Sequence, residues 1–230
     1  MQQPAYSGVD NLEVMQEAVN YNRYLLETVR RYAPATGKVL DFGAGGGQFA
    51  APLAELGMDI TALEPDPLLQ QRLRARGLHA VGSTRDVPDG SFDYIYSLNV
   101  LEHIEDDTAA LRSLHAKLSA SGKLFIYVPA FPVLYNSMDA KVGHVRRYTR
   151  ETLTSRVTAA GFSVERVAYA DSVGFFATLL FKAVGNKDGS VSVGALKLYD
   201  RLIFPLSRAL DLVTQHWFGK NLLLACTKRA

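Results

Sequence analysis

Apolar positions along the chain follow two rhythms, short continuous runs and stripes with a helical period. Over residues 11–32, Val14, Ala18, Tyr21, Leu25 and Val29 mark one face of a helix that stops before Pro34. Residues 39–42 then read as a buried strand that breaks at Gly43 into a glycine-rich turn, with a helix over 48–56 closed by Gly57. A second strand over 60–63 runs into Glu64-Pro65-Asp66-Pro67, where Pro67 suits the first turn of a helix over 68–76. Residues 78–81 form a third strand and, after a turn at Asp89-Gly90, residues 92–98 a fourth. Thr108 is the expected cap of a helix reaching Leu118. Strands over 123–128, 164–169 and 221–227 and a helix over 149–160 complete the series.

Strands alternating with helices imply a doubly wound α/β fold, with a parallel sheet covered on both faces and right-handed crossovers. The chain reads as one domain over residues 1–230, with residues 1–36 a helical cap and residues 171–219 a helical insertion before the last strand, expected as two helices. The first, around Phe175 and Phe176, is too short and too interrupted by Lys182 to cross a bilayer. The second carries Leu196, Tyr199, Leu202, Ile203, Leu206, Leu210 and Val213 at helical spacing, kinked near Pro205, with Lys197, Arg201 and Arg208 on another face. Such a stripe can lie on an anionic membrane or pack on the sheet or a second subunit.

Composition narrows the classes. With 48% hydrophobic and 21% charged residues, disorder and a membrane-spanning protein are both poor fits. One cysteine, Cys226, rules out an internal disulfide and a cysteine-based zinc site. His79, His115 and His216 have no ligand-like spacing, and no metal site is expected. The opening residues carry no basic-then-apolar signal, and a cytoplasmic protein is expected, with contact to the inner membrane face as a further option. Residues 1–140 hold 11 basic against 17 acidic side chains, and the remainder 14 against 6. That basic C-terminal part suits an acidic small molecule or an anionic surface; nucleic acid is not an expected partner.

The glycine turn carries the chemistry. A dinucleotide fingerprint needs glycine at the sixth position counted from Gly43, and that position is Gln48. The pattern is instead D-x-G-x-G-x-G beginning at Asp41, followed by Glu64 at the end of the second strand, seventeen residues after Gly47. A carboxylate there can accept both hydroxyls of a ribose. Together with the run SFDYIYSLNVLEHIEDD and YNRYL ahead of the first strand, this resembles the class I S-adenosylmethionine-dependent methyltransferases, over residues 38–162. The resemblance implies a seven-stranded Rossmann-like methyltransferase fold and S-adenosylmethionine as cofactor. It implies that Asp41, Gly43, Gly45 and Gly47 line the methionine moiety, that Glu64 holds the ribose and that Asn99 walls the pocket. The family often has Asp in the loop after strand three; Ser83 stands there, so adenine recognition falls to Ser83, Thr84 or a backbone group.

Methyl transfer from a sulfonium is a direct displacement, so the protein aligns the acceptor and removes a proton where one must leave. The loop after strand five offers Tyr135, Asp139, His144, Arg146, Arg147 and Tyr148, and resembles a bacterial subset with a D-x-x-x-G-H-x-R-R-Y pattern. His144 is a candidate base and His103 its rival. Arg146 and Arg147 could grip a carboxylate or phosphate, or only hold the loop's shape through Asp139. Tyr135 and Tyr148 are further acceptor-side candidates, and Tyr21 and Tyr24 could line the acceptor pocket or be plain core. The expected reaction is methyl transfer to a small, apolar, acidic or lipid-linked molecule, with oxygen as first acceptor and nitrogen or carbon left open. An NAD-linked oxidoreductase and a cofactor-binding accessory subunit without turnover are the alternatives.

Overall fold

The computed structural model describes residues 14–184, 189–190 and 192–229. Its centre is a seven-stranded sheet in the order β3-β2-β1-β4-β5-β7-β6. The strands are β1 Lys38–Phe42, β2 Asp59–Leu63, β3 His79–Val81, β4 Phe92–Leu98, β5 Leu118–Pro129, β6 Phe162–Ala170 and β7 Asn221–Lys228. Order reverses between β1 and β4, which pair in parallel with Val39 opposite Tyr94. A ligand crevice is expected at the carboxyl ends of these two strands.

The helices are α1 Val19–Tyr32, α2 Ala50–Glu55, α3 Pro67–Ala75, α4 Asp107–Lys117, α5 Ser137–Val142, α6 Arg150–Ala159, α7 Ser172–Val184, α8 Val193–Leu198 and α9 Phe204–Thr214. Two apolar layers cover the sheet. One packs Leu111, Leu114, Leu153 and Val157 of α4 and α6 on Leu40, Ile95, Leu124 and Ile126. The other packs Leu25, Val29, Leu53, Leu73 and Phe204 on Val39, Tyr94, Phe125 and Leu223. Alternation along each strand sends successive side chains to opposite layers, so both strand faces are apolar.

The sheet departs from the all-parallel expectation at β7, which pairs antiparallel with β5 and with β6. The cause is where the insertion lies. It leaves the carboxyl end of β6 at Ala170 and returns beside it, Ala170 facing Asn221, so the last strand has to run back the other way. The insertion holds α7, α8 and α9 where two helices were expected, and α8 joins α9 through a π turn, Tyr199–Ile203. Pro205 falls in the first turn of α9. Its missing N–H is harmless there, and the widened turn just before it is the irregularity read as a kink.

Two helix starts also differ. Residues 11–13 of the expected first helix lie outside the described residues, and residues 14–16 are separated from α1 by a break at Ala18. Ala18 has no capping side chain; the Asp200 carboxylate caps α1 instead, accepting from the amides of Asn20 at 2.9 Å and Tyr21 at 2.8 Å. Asp106, rather than Thr108, caps α4 by accepting from Ala109 N–H at 2.9 Å.

Candidate active site

Two groups of residues meet at the carboxyl ends of β1 and β4. The first is built on the glycine turn. Gly43 and Ala44 donate their amides to Leu63 O at 2.9 and 3.0 Å, tying the turn to β2. Gly43 has φ +84°, and a Cβ there would lie 2.4 Å from Val100 Cγ2; at Gly47, φ +82°, it would lie 2.9 Å from Leu73 Cδ2. Those two glycines are demanded by protein packing. At Gly45 and Gly46 a Cβ would meet no atom of the described residues within 4 Å, so theirs is the backbone a ligand can approach.

Glu64 caps this turn, its Oε2 accepting Gly45 N–H at 2.9 Å and its Oε1 accepting Asp66 N–H at 3.0 Å. Burial still raises its carboxyl above the ordinary range, against those two donors. Asp41, 3% exposed, is pushed up to about 7 by burial, with the Tyr96 hydroxyl pulling down and the Glu64 charge pushing up. Among the described residues neither acid has an ion-pair partner. An acidic, glycine-floored turn without its own cation suits a ligand with an ammonium or sulfonium and hydroxyls.

The walls are set by strained backbone. Asn99 and Asp171, the residues just beyond β4 and β6, and Phe131, two residues beyond β5, have φ of 54°, 61° and 59°. Three non-glycine residues of positive φ after the carboxyl ends of three strands are a mark of a functional edge. Tyr21 of α1 reaches Asn99 and Tyr127, and burial raises its hydroxyl well above the ordinary range. Tyr24 packs against the same two rings as Tyr21, Tyr127 and Phe204, with the Arg208 guanidinium 3.8 Å from its ring centroid. In the loop after β3, Ser83 Oγ caps the turn at Thr84–Asp86, and Thr84 Oγ1 accepts from Ser113 Oγ at 2.8 Å. Both hydroxyls are thus engaged within the protein.

The second group comes from the loop after β5. Residues 146–148 run back beside that strand, with Tyr148 N–H on Pro129 O at 3.0 Å and Phe131 N–H on Tyr148 O at 2.8 Å. Before them, Asn136 and Asp139 form a capping box on α5, and Gly143, φ +79°, ends it. His144 therefore turns back over the helix, its Nδ1 2.7 Å from Asp139 Oδ1. Arg147 holds the same carboxylate through Nε, at 2.9 and 3.0 Å, and Nη2, at 2.9 Å. Burial pushes Asp139 up, but the His144 and Arg147 hydrogen bonds prevail and hold it below the ordinary range. An ionised Asp139 makes Nδ1 the donor and leaves the Nε2 lone pair of a neutral His144 free.

That Nε2 lies 3.7 Å from Glu102 Oε1, and the ring meets His103 edge-on with centroids 4.7 Å apart. Glu102 is wholly buried, neither of its oxygens has a hydrogen-bond partner among the described residues, and burial pushes it up to about 8. Burial and neighbouring His144 push His103 down to about 4. Tyr135 supports the loop by donating to His144 O at 2.7 Å.

Of the remaining candidates, Arg146 and Tyr148 face away from this group. Tyr148 donates to Asp107 Oδ2 at 2.6 Å, Arg146 pairs with the same oxygen at 2.8 Å, and Arg156 pairs with the other. Arg147 is 6% exposed and held by Asp139 and Ala130 O. The guanidiniums thus hold the loop, and the fork expected for a ligand anion is already filled. Sequence reasoning passed over Tyr96 beside Asp41 and Lys220 beside Asp171, whose ammonium is pulled down by burial; residues next to a strand's end were the available signal.

Residues 15–167 match the model of a methyltransferase-domain family. The chain belongs to that family, and its cofactor is S-adenosylmethionine. A ubiquinone biosynthesis O-methyltransferase of Xanthomonas axonopodis pv. citri is 36% identical over 106 residues, 42% of this chain and 44% of that protein. One of the same name from Idiomarina loihiensis is 34% identical over 101 residues, 38% of this chain and 40% of that protein. The chain thus spans less than half the length of the curated relatives it matches. Among solved structures, an S-adenosylmethionine-dependent methyltransferase of Mesorhizobium loti superposes with TM-score 0.60 at 18% identity, covering 88% of this chain and 96% of that one. An N-methyltransferase of Haemonchus contortus, solved with phosphomonomethylethanolamine and S-adenosylhomocysteine, superposes with TM-score 0.61 at 18% identity, covering 92% and 53%. At that identity the two establish the fold. Family membership replaces the NAD-linked alternative.

Proposed function

We propose that the protein methylates an oxygen, hydroxyl or carboxylate, of a small apolar or lipid-linked molecule. The observation that carries this is the His144 imidazole, fixed by Asp139 through Nδ1, with Nε2 turned to Glu102 and His103 where β4 ends. S-adenosylmethionine supplies a methyl group activated by its sulfonium. Asp41 and the Gly45-Gly46 backbone hold the amino-acid end, and Glu64 the ribose. Asn99 and Tyr21 close the wall between cofactor and acceptor. A hydroxyl acceptor gives its proton to His144 Nε2 as the oxygen–carbon bond forms, and Asp139 steadies the imidazolium. A carboxylate acceptor needs no such transfer.

The apolar nature of the acceptor is supported by the insertion. Phe176 and Leu180 of α7, Leu202 of the π turn, and Leu206 and Leu210 of α9 are exposed, as is Trp217. No helix among the described residues is long and apolar enough to cross a membrane. Peripheral contact with anionic lipid is the corresponding proposal. The basic face contributes less to it than the sequence implied, because Lys197 pairs with Glu17 at 2.9 Å and Arg208 is stacked on Tyr24.

The test is transfer of labelled methyl to a panel of hydroxylated, carboxylated and amine acceptors, with the product atom assigned by mass spectrometry. Label found only on nitrogen or carbon overturns the oxygen reading. His144→Ala is expected to lower kcat for hydroxyl acceptors about 100-fold while cofactor affinity holds. For lipid contact, pelleting with phosphatidylglycerol vesicles is expected and should be lost in Phe176→Asp with Leu180→Asp; no pelleting at low salt ends that proposal.

A further inference from the structure

Glu102, His103 and His144 present one carboxylate oxygen and two ring nitrogens that all lie within 4.8 Å of one another. Two imidazoles and one carboxylate are the donor set of a three-ligand metal centre with free positions. The spacing is wider than a bound ion requires: donors on a tetrahedral ion sit about 3.3 Å apart, against 3.7 Å for His144 Nε2 and Glu102 Oε1 and up to 4.8 Å across the set. Rotamer adjustment of side chains on a loop and a short turn closes such a gap.

Three independent features point to a ligand. Glu102 is wholly buried with both oxygens lacking a hydrogen-bond partner among the described residues, an arrangement that a bound cation would satisfy. His144 has its second nitrogen fixed by a carboxylate, Asp139, which Arg147 and the Asn136 amide hold in turn. His103 is hydrogen-bonded to the backbone of Gly143. Imidazoles oriented by a carboxylate and by a backbone group are the usual outer shell of metal-bound histidines, since that bond fixes the tautomer and leaves the other nitrogen to the metal. The fold, not linear spacing, brings these donors together: His144 is some forty residues from the other two and returns through the loop after β5. The sequence expectation of no metal site therefore came from adjacency, which does not apply here.

We infer that Glu102, His103 and His144 bind a first-row divalent transition ion, of the zinc, cobalt or manganese class, on the acceptor side of the methyl-transfer site. Nitrogen donors disfavour magnesium and calcium, which prefer oxygen. This rests on the acceptor-side reading above and changes how the proton leaves. With the ion in place His144 Nε2 is a ligand, and without it Nε2 is the proton acceptor. In the loaded site the acceptor's hydroxyl oxygen takes a free position on the ion and its proton goes to water. The oxygen–carbon bond then forms as the sulfur–carbon bond breaks, and sulfur keeps the electron pair.

The probe is Co²⁺, added to chelator-treated protein with S-adenosylhomocysteine present. One equivalent should bind and give visible d–d absorption of a low-coordinate site, and Zn²⁺ should displace it. His103→Ala and Glu102→Gln are each expected to weaken binding at least 10-fold, whereas His79→Ala leaves it unchanged. Circular dichroism and cofactor titration confirm that each variant is folded; His103→Ala, at a half-buried position, is the variant the fold should tolerate. Absence of one-equivalent Co²⁺ binding, or binding indifferent to both substitutions, overturns the inference. Methyl transfer that persists undiminished in chelator also overturns it while leaving the oxygen reading intact. Stoichiometric Co²⁺ binding without transfer to any oxygen acceptor would support the metal site and defeat the oxygen reading.

Discussion

Asp41→Asn separates what the fold bears from what the cofactor needs. The carboxyl is 3% exposed, and burial is the main reason it rises from 3.8 to about 7. A rise of that size corresponds to roughly 4 kcal/mol of folding free energy once the group is ionised. The sign follows from proton counting. Between pH 4 and 7 the folded chain holds a proton on Asp41 that the unfolded chain has released, so stability falls as pH rises through this window and the whole cost is present above it. The amide that replaces the carboxyl carries no charge to desolvate. In the absence of cofactor the variant should therefore match the wild type near pH 4 and exceed it at pH 8, by about 2–4 kcal/mol after relaxation of the site. With the cofactor's ammonium at Asp41, as proposed, affinity for S-adenosylmethionine should fall at least 10-fold. Urea unfolding at pH 4, 6 and 8, with calorimetric cofactor titration at pH 8, reads both. A variant no more stable than wild type at pH 8, or a difference that does not grow with pH, would refute the argument that Asp41 is held as a strained, uncompensated acid.

The glycines and the second acid make sharper structural tests. Gly43→Ala should destabilise by about 2–4 kcal/mol, since its Cβ would meet Val100 at 2.4 Å on backbone of φ +84°. Gly45→Ala, with no atom within 4 Å, should cost about 1 kcal/mol in stability and show itself in cofactor affinity; thermal unfolding beside calorimetry distinguishes the two. Asp107→Asn should cost about 3 kcal/mol, because Arg146, Arg156 and Tyr148 all converge on that carboxylate. Burial raises Asp107, but Tyr148 and the two arginines prevail and hold it low. Its contribution is thus present above the unfolded carboxyl range and lost as pH falls through the lower folded value, so wild type and variant should converge in acid denaturation.

The sheet was legible because β1, β2, β4 and β5 are apolar on both faces and are each bounded by glycine, proline or a capping residue. The direction of β7 was not, since a strand's apolar pattern is the same in either direction and only the position of the insertion decides. The proposed cofactor side rests on Asp41, the glycine turn and Glu64, which lie close in sequence and act through local backbone. The acceptor side depends on long-range returns. Arg146, Arg147 and Tyr148 look like one basic-aromatic cluster in sequence, yet in an extended segment alternate side chains point apart. Arg146 and Tyr148 accordingly share Asp107 while Arg147 turns to Asp139. Reading 146–148 as extended would have divided them beforehand. Nothing local joins His144 to Glu102.

The same device recurs at the top of the molecule. Asp200 caps α1 from 180 residues away, and Asp211 caps the chain entering α7 by accepting from the Asp171 and Ser172 amides at 2.9 Å. Asp171 in turn takes the Tyr199 hydroxyl at 2.6 Å. Three carboxylates thus pin the N-terminal helix, the end of β6 and the whole C-terminal helical layer to one another. This helical layer behaves as a single vault with its keystones in the insertion, and any exchange of α7–α9 would have to carry its aspartates with it.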